Sequence, residues 1–106
     1  GKNAEMNAYV THELAHAHDI FFHVKDAPGS HVILRGSKNS ALFKDAMKYA
    51  AFFSSLRKAS KVEVMVAYKK DVKKIKGLHG SLVHVKTYTS HLVTLDSEFV
   101  KLCESL

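Results

Sequence analysis

The sequence predicts an α+β domain in which a mainly antiparallel sheet packs with two helices and is followed by a short C-terminal helical tail. Three observations carry this expectation. Apolar residues alternate with polar ones in several short stretches, they recur at helical spacing in two longer ones, and the patterns follow in the order helix, two strands, helix, three strands, tail. The 106-residue chain has one proline and shows no repeat or low-complexity tract, so a single domain over residues 1–106 is expected.

From Asn3, a fitting N-cap, to His18, the residues Met6, Val10, Leu14 and Ala17 recur at helical spacing and predict an amphipathic first helix with a His-rich polar face. Ile20 to Lys25 switches to alternation and predicts a strand, with Ile20, Phe22 and Val24 on one side and Phe21, His23 and Lys25 on the other. Asp26-Ala27-Pro28-Gly29-Ser30 is turn chemistry, Pro28 fixing φ and Gly29 tolerating positive φ, and a second strand follows from His31 to Arg35. Paired as a hairpin, these strands would gather His23, Lys25, His31 and Arg35 near one end of the sheet.

Gly36 to Asn39 is expected as a loop, Ser40 as an N-cap, and Ala41 to Leu56 as the clearest helix. Its apolar stripe is Leu42, Phe43, Ala46, Met47, Ala50 and Phe53, with Arg57 and Lys58 suited to the negative end of its dipole. Val62, Val64, Val66 and Tyr68 alternate with Glu63, Met65 and Ala67 as in a half-buried strand. Lys69 to Gly80 has too little apolar surface for a packed element and is expected as an exposed loop. Leu82 to Tyr88 and His91 to Leu95 predict two more strands around Thr89-Ser90, and Ser97 to Leu106 a short amphipathic tail.

Composition bounds the function. Uninterrupted apolar runs such as Tyr49 to Phe53 are far shorter than the roughly 20 residues that span a bilayer, so no membrane association is expected. The single Cys103 excludes an internal disulfide, agrees with a reducing, cytoplasmic setting, and is expected as a packing residue. Of the net charge of +6, Lys69 to Lys76 supplies +4 through five lysines and one aspartate. Lys69, Lys70, Lys73, Lys74 and Lys76, with His79 between Gly77 and Gly80, therefore form a candidate phosphate-binding loop. The plain alternative is a solvated charged loop. Tyr68 and Tyr88 are the candidates for base stacking, whereas the six phenylalanines read as core.

Two patterns point toward catalysis and are weaker. His12-Glu13-Leu14-Ala15-His16 spells HExxH, which on a helix sets two imidazoles one turn apart as zinc ligands with the Glu activating water. No third ligand of the usual spacing follows, so adventitious metal binding by His12 and His16, or simply a polar helix face, competes with a zinc peptidase. Asp19, His23, Asp26, Ser30 and His31 together invite a hydrolase reading, but no nucleophile elbow or oxyanion loop accompanies them.

Several blocks make the chain recognisable. Gly1-Lys2-Asn3 with Asn7, Asp19-Ile20-Phe21-Phe22-His23-Val24-Lys25-Asp26 and Pro28-Gly29-Ser30-His31-Val32-Ile33-Leu34-Arg35 strongly resemble the NFACT-R domain, an RNA-binding module. Ala50-Ala51 to Ser54, Lys61-Val62, and Val72-Lys73-Lys74 through Lys76-Gly77 to Gly80 fall in the family's order and spacing, so the resemblance covers nearly the whole chain. It implies the C-terminal module of the NFACT proteins or a stand-alone relative, without an enzymatic activity or cofactor of its own. The partners it implies are tRNA or rRNA and the large ribosomal subunit. There the full-length family acts in quality control of stalled ribosomes, and bacterial members recruit tRNA for C-terminal alanine tailing.

By the same resemblance, Asp19, His23, Lys25, Pro28, Gly29, Ser30, His31 and Arg35 form the family's characteristic surface, flanked by Lys73, Lys74, Lys76, Gly77 and Gly80 as an RNA-facing loop. The chain departs from the family pattern in having Phe21 where Trp is common and Ile75 where Pro is frequent. The family pattern also begins with a strand before Gly1, so a fragment of a longer protein, or a domain lacking its first strand, is expected. Some relatives are labelled fibronectin-binding proteins, which makes an adhesin binding fibronectin the competing reading.

Overall fold

The computed structural model describes residues 16–35, 40–74 and 83–105. Of the first helix predicted over residues 3–18, residues 3–15 with His12 lie outside the described residues, and residues 17–18 form a turn closed by Asp19 N–H donating to His16 O instead of helix. The loop at 36–39 and the segment 75–82 with Lys76, Gly77, His79 and Gly80 also lie outside the described residues.

Strands β1 (Ile20–Val24) and β2 (Val32–Leu34) form the predicted hairpin, Ile20 opposite Leu34 and Phe22 opposite Val32. Helix α1 (Ser40–Phe52) follows, then β3 (Val62–Tyr68), a 3-10 turn (Lys69–Asp71), β4 (Val72–Lys74), β5 (Val83–Val85), β6 (Thr89–Val93) and helix α2 (Ser97–Glu104). The main sheet has the order β2-β1-β3-β6 with every neighbouring pair antiparallel, and β4 and β5 form a separate antiparallel ribbon. The α+β class is therefore the one the periodicities predict.

The core follows from the alternation. Phe22, Val24, Val62, Val64, Val66 and Val93 share one sheet face, and Ala46, Ala50 and Ala51 of α1 are buried against it. Small helix side chains let the helix axis approach the large strand residues closely, and the Phe22 and Phe43 rings meet edge-on at 5.1 Å. Leu42 and Phe53, expected in the helix stripe, are a little under half exposed, whereas Phe52 is buried with Phe99 and Cys103 in a second cluster. The reason is that α2 packs on another side of α1, a tertiary contact that the helical period alone does not encode. The Asp96 carboxylate accepts from the Phe99 amide at 2.8 Å and so caps α2, while Lys48 of α1 reaches the same carboxylate at 3.2 Å.

The predicted helix to Leu56 stops at Phe52 because the hairpin turn captures the chain there. Ser30 N–H donates to Phe53 O at 2.9 Å, Ser55 N–H donates to Pro28 O at 3.0 Å, and Gly29 bridges to Ser54. The buried Ser54 hydroxyl donates to Ala51 O at 2.7 Å and accepts from the Leu56 amide at 3.1 Å, satisfying groups that a helix end leaves open. Arg57 consequently does not sit in the last helical turn. Its guanidinium lies 4.2 Å from the Phe52 ring centroid and 3.5 Å from Glu104. Ser40 is the first helical residue rather than the cap ahead of it.

Three further expectations are corrected. In the hairpin turn Asp26 takes the positive φ, at 58°, and Gly29 is required for space instead, since a Cβ there would stand 2.9 Å from Ser54 Cβ. Lys69 to Lys74 is not a loop: its turn and strand are tied down by Val72, which is buried, and by pairing of Lys73 with His84. Thr89 and Ser90, expected as a turn, open β6, and the chain bends over residues 86–87. Among the described residues no helix is long and apolar enough to cross a membrane.

Candidate nucleic-acid interface

The hairpin places its polar residues in columns on one face. Extending the β1–β2 register sets Asp19 opposite Arg35 at one end and His23 opposite His31 at the other, with Phe21 opposite Ile33 between them. Four residues of strand separate the two ends, roughly 13 Å. The structure thus splits the predicted group: Arg35 belongs with Asp19, and His23, Lys25, Ser30 and His31 belong with the turn.

At the first end Asp19 is buried, and burial by itself would raise its pKa. The His16 amide donating to Oδ2 at 2.8 Å and the Arg35 guanidinium at 3.0 Å outweigh that penalty and hold the carboxyl below its ordinary value. His16 itself lies in the turn that leads into β1, and its side chain is exposed. Among the described residues no three His, Cys, Asp or Glu side chains converge as a metal site would require. The backbone of the lysine segment is fastened to this same end. Lys69 N–H donates to Asp19 O at 2.8 Å, and Lys70 N–H to Ala17 O at 3.0 Å.

Beyond the turn, Lys73 and His84 oppose each other across the ribbon and are both exposed. Exposed Lys86 follows, its N–H donating to Asp71 O at 2.8 Å. Arg35, Lys69, Lys70, Lys73 and Lys86 are consequently held by strand register and backbone hydrogen bonds at one end of the sheet. Tyr68 lies there too, about half exposed, with the Lys70 ammonium 5.6 Å from its ring centroid and the His18 ring edge-on at 6.3 Å.

At the other end the His23 and His31 rings meet edge-on at 4.9 Å, and both pack on the buried Phe21 ring. His23 Nδ1 lies 2.6 Å from Val24 O, and since a carbonyl oxygen only accepts, Nδ1 carries the proton. Burial lowers the His23 pKa, against the raising effect of the Val24 and Gly29 carbonyls. This imidazole is therefore poorly suited to supply charge. Lys25 differs: the Tyr88 hydroxyl first, and Glu63 second, raise its pKa, and its ammonium lies 5.6 Å from the Tyr88 ring centroid. Pro28 and Gly29 act in the turn that joins the hairpin to α1. Cys103 is buried, and burial raises its thiol pKa.

His84 and Lys86 join the basic end although the charge run in the sequence does not include them. Their signal is a different one: Val83-His84-Val85 is a short apolar–polar alternation, and Lys86 follows it directly.

No model of a known protein family matches the chain. It is 36% identical over 101 residues to the Rqc2 homolog RqcH of Bacillus subtilis, covering 94% of this chain and 18% of that protein. It is also 36% identical over 103 residues to the Rqc2 homolog RqcH of Streptococcus pneumoniae, covering 92% and 18%. The chain thus spans about a fifth of the length of these curated relatives. Its fold superposes with a TM-score of 0.87 and 31% identity on the C-terminal part of the fibronectin/fibrinogen-binding protein from Streptococcus suis, covering 96% of this chain and 42% of that one.

Proposed function

The chain is homologous to the C-terminal region of the RqcH proteins, and from that premise we propose that it is a non-catalytic RNA-binding domain of a cytoplasmic ribosome quality control factor. In this reading it contacts tRNA or rRNA on the large ribosomal subunit, within a protein that recruits tRNA for C-terminal alanine tailing. One observation carries the RNA-binding role: cations that the sequence scatters over Arg35, Lys69, Lys70, Lys73 and Lys86 are anchored by strand register, backbone hydrogen bonds and the Asp19 ion pair at one end of the sheet. Fixed cations lose less freedom on meeting a phosphate backbone than cations on a loose loop, so the anchoring favours binding. The neutral character of His23 and the exposure of Tyr68 favour contacts to sugar edges and base faces over sequence readout in a groove.

The test is direct binding of the 106-residue chain to tRNA and to large-subunit rRNA fragments across a salt series. The reading expects affinity that falls steeply as salt rises; absence of binding at low salt would end it. The name carried by the Streptococcus suis relative supports a second reading, fibronectin binding. Capture of fibronectin by the folded chain, undiminished by excess RNA, would favour that reading instead.

A further inference from the structure

Where the main sheet ends beside the ribbon, a cleft of about 290 Å³ opens, with Ile20, Phe43 and Val66 in its apolar lining and Tyr68, Tyr88 and Asp71 completing it. Both tyrosines are substantially exposed, and each has a lysine ammonium 5.6 Å from its ring centroid, Lys70 over Tyr68 and Lys25 over Tyr88. Among the described residues the Asp71 carboxylate has no ion-pair partner, although Lys69 and Lys70 adjoin it in the same 3-10 turn.

We propose that this cleft receives one unpaired nucleobase of the bound RNA, guanine in preference to the other three, with Tyr68 against the base and Asp71 facing its Watson–Crick edge. The inference rests on the RNA-binding reading above and adds a base pocket to it. An aromatic, apolar slot suits the face of a base and not a sugar-phosphate unit, whose charge it would desolvate. The Lys70 ammonium, 5.6 Å from the Tyr68 ring centroid, gives the slot a cation for a phosphate next to the inserted base.

Asp71 supplies the selectivity. A carboxylate only accepts hydrogen bonds, so it favours an edge that carries donors. Guanine presents N1–H and N2–H side by side and can use both carboxylate oxygens. Cytosine and adenine offer one exocyclic amine, and uracil offers a single N3–H between two carbonyl oxygens that the carboxylate repels. An apolar side chain of a protein partner would fit the apolar lining but would leave Asp71 desolvated without a donor.

The experiment compares a short oligouridylate with the same strand carrying one central guanine, each bound to the 106-residue chain at fixed low salt. Anisotropy of the labelled RNA gives affinity. Tyrosine emission reports stacking directly, because the chain has four tyrosines and no tryptophan. The guanine strand is expected to bind about fivefold or more tightly and to quench tyrosine emission. Asp71→Asn should abolish the preference for the guanine strand, and Tyr68→Ala should weaken the guanine strand by about fivefold. Equal affinities with no quenching, while both strands still bind in a salt-dependent manner, would overturn the base pocket and leave the RNA-binding reading standing. Failure of both strands to bind at low salt would overturn the two together.

Discussion

Gly29 and Ser54 pass so closely that a Cβ on residue 29 would stand 2.9 Å from Ser54 Cβ and 3.2 Å from Ser54 Cα. This contact stitches the hairpin turn to the end of α1 and explains why the Pro28-Gly29-Ser30 block tolerates no side chain at its centre. Gly29→Ala is expected to destabilise the domain by roughly 1–3 kcal/mol, as overpacking does where backbone lies in the way. Adding Ser54→Gly should restore only part of the loss, because the Ser54 Cα and the Phe53 carbonyl at 3.3 Å remain. Urea denaturation of the three variants checks both statements.

Asp19 and Arg35 form a partly buried pair at 3.0 Å, with Asp19 almost fully enclosed and Arg35 about half exposed. Removing the carboxylate strips the His16 amide and Arg35 of their acceptor, so Asp19→Ala should cost about 1–2 kcal/mol at neutral pH. Because the folded-state pKa is lowered, the stabilisation is complete above the unfolded value near 3.8 and is lost as pH falls through the folded value. The stability gap between wild type and Asp19→Asn should therefore close in acid, below about pH 4. Denaturation midpoints measured at neutral and acid pH decide this.

His23 gives a pH dependence in a different window. Its folded pKa lies below the ordinary 6.5, so the unfolded chain takes up the proton first and stability falls as pH drops through and below that value. His23→Gln should flatten the fall in melting temperature between neutral pH and about pH 5. If the variant keeps the full wild-type slope, the charge-averse imidazole is not responsible for it.

Cys103 should be slow to react with thiol reagents in the folded chain and fast in urea, since it is buried against Phe52 and Phe99 and burial raises its pKa. Alkylation rates with and without denaturant give the comparison.

The sequence made the hairpin legible because its alternation and turn chemistry are local, and the same holds for β3 with its run of valines at every second position. The early stop of α1 was hidden, since it depends on a distant upstream turn, at Gly29, arriving at Ser54. The burial of Phe52 in place of Phe53 was hidden for the same reason, being decided by α2. In the candidate site the lysines were visible as charge, but their anchoring was not. Val72 is a single buried residue in a run of lysines, and only its pairing with Val85 turns the segment into a strand. Arg35 illustrates the converse: grouped with the histidines by sequence, it is assigned to Asp19 by register.

The central claim, that the basic end of the sheet is the RNA-binding surface, is tested most directly by the salt dependence of RNA binding in two triple variants. One variant replaces the exposed Lys70, Lys73 and Lys86 by Ala, and the other replaces the exposed Lys44, Lys58 and Lys101 elsewhere on the surface. Both remove the same charge. The account predicts that the first flattens the log–log slope by roughly 2 to 2.7, about 0.7 to 0.9 for each phosphate no longer neutralised, while the second leaves it near the wild-type value. Equal slopes for the two variants would contradict it.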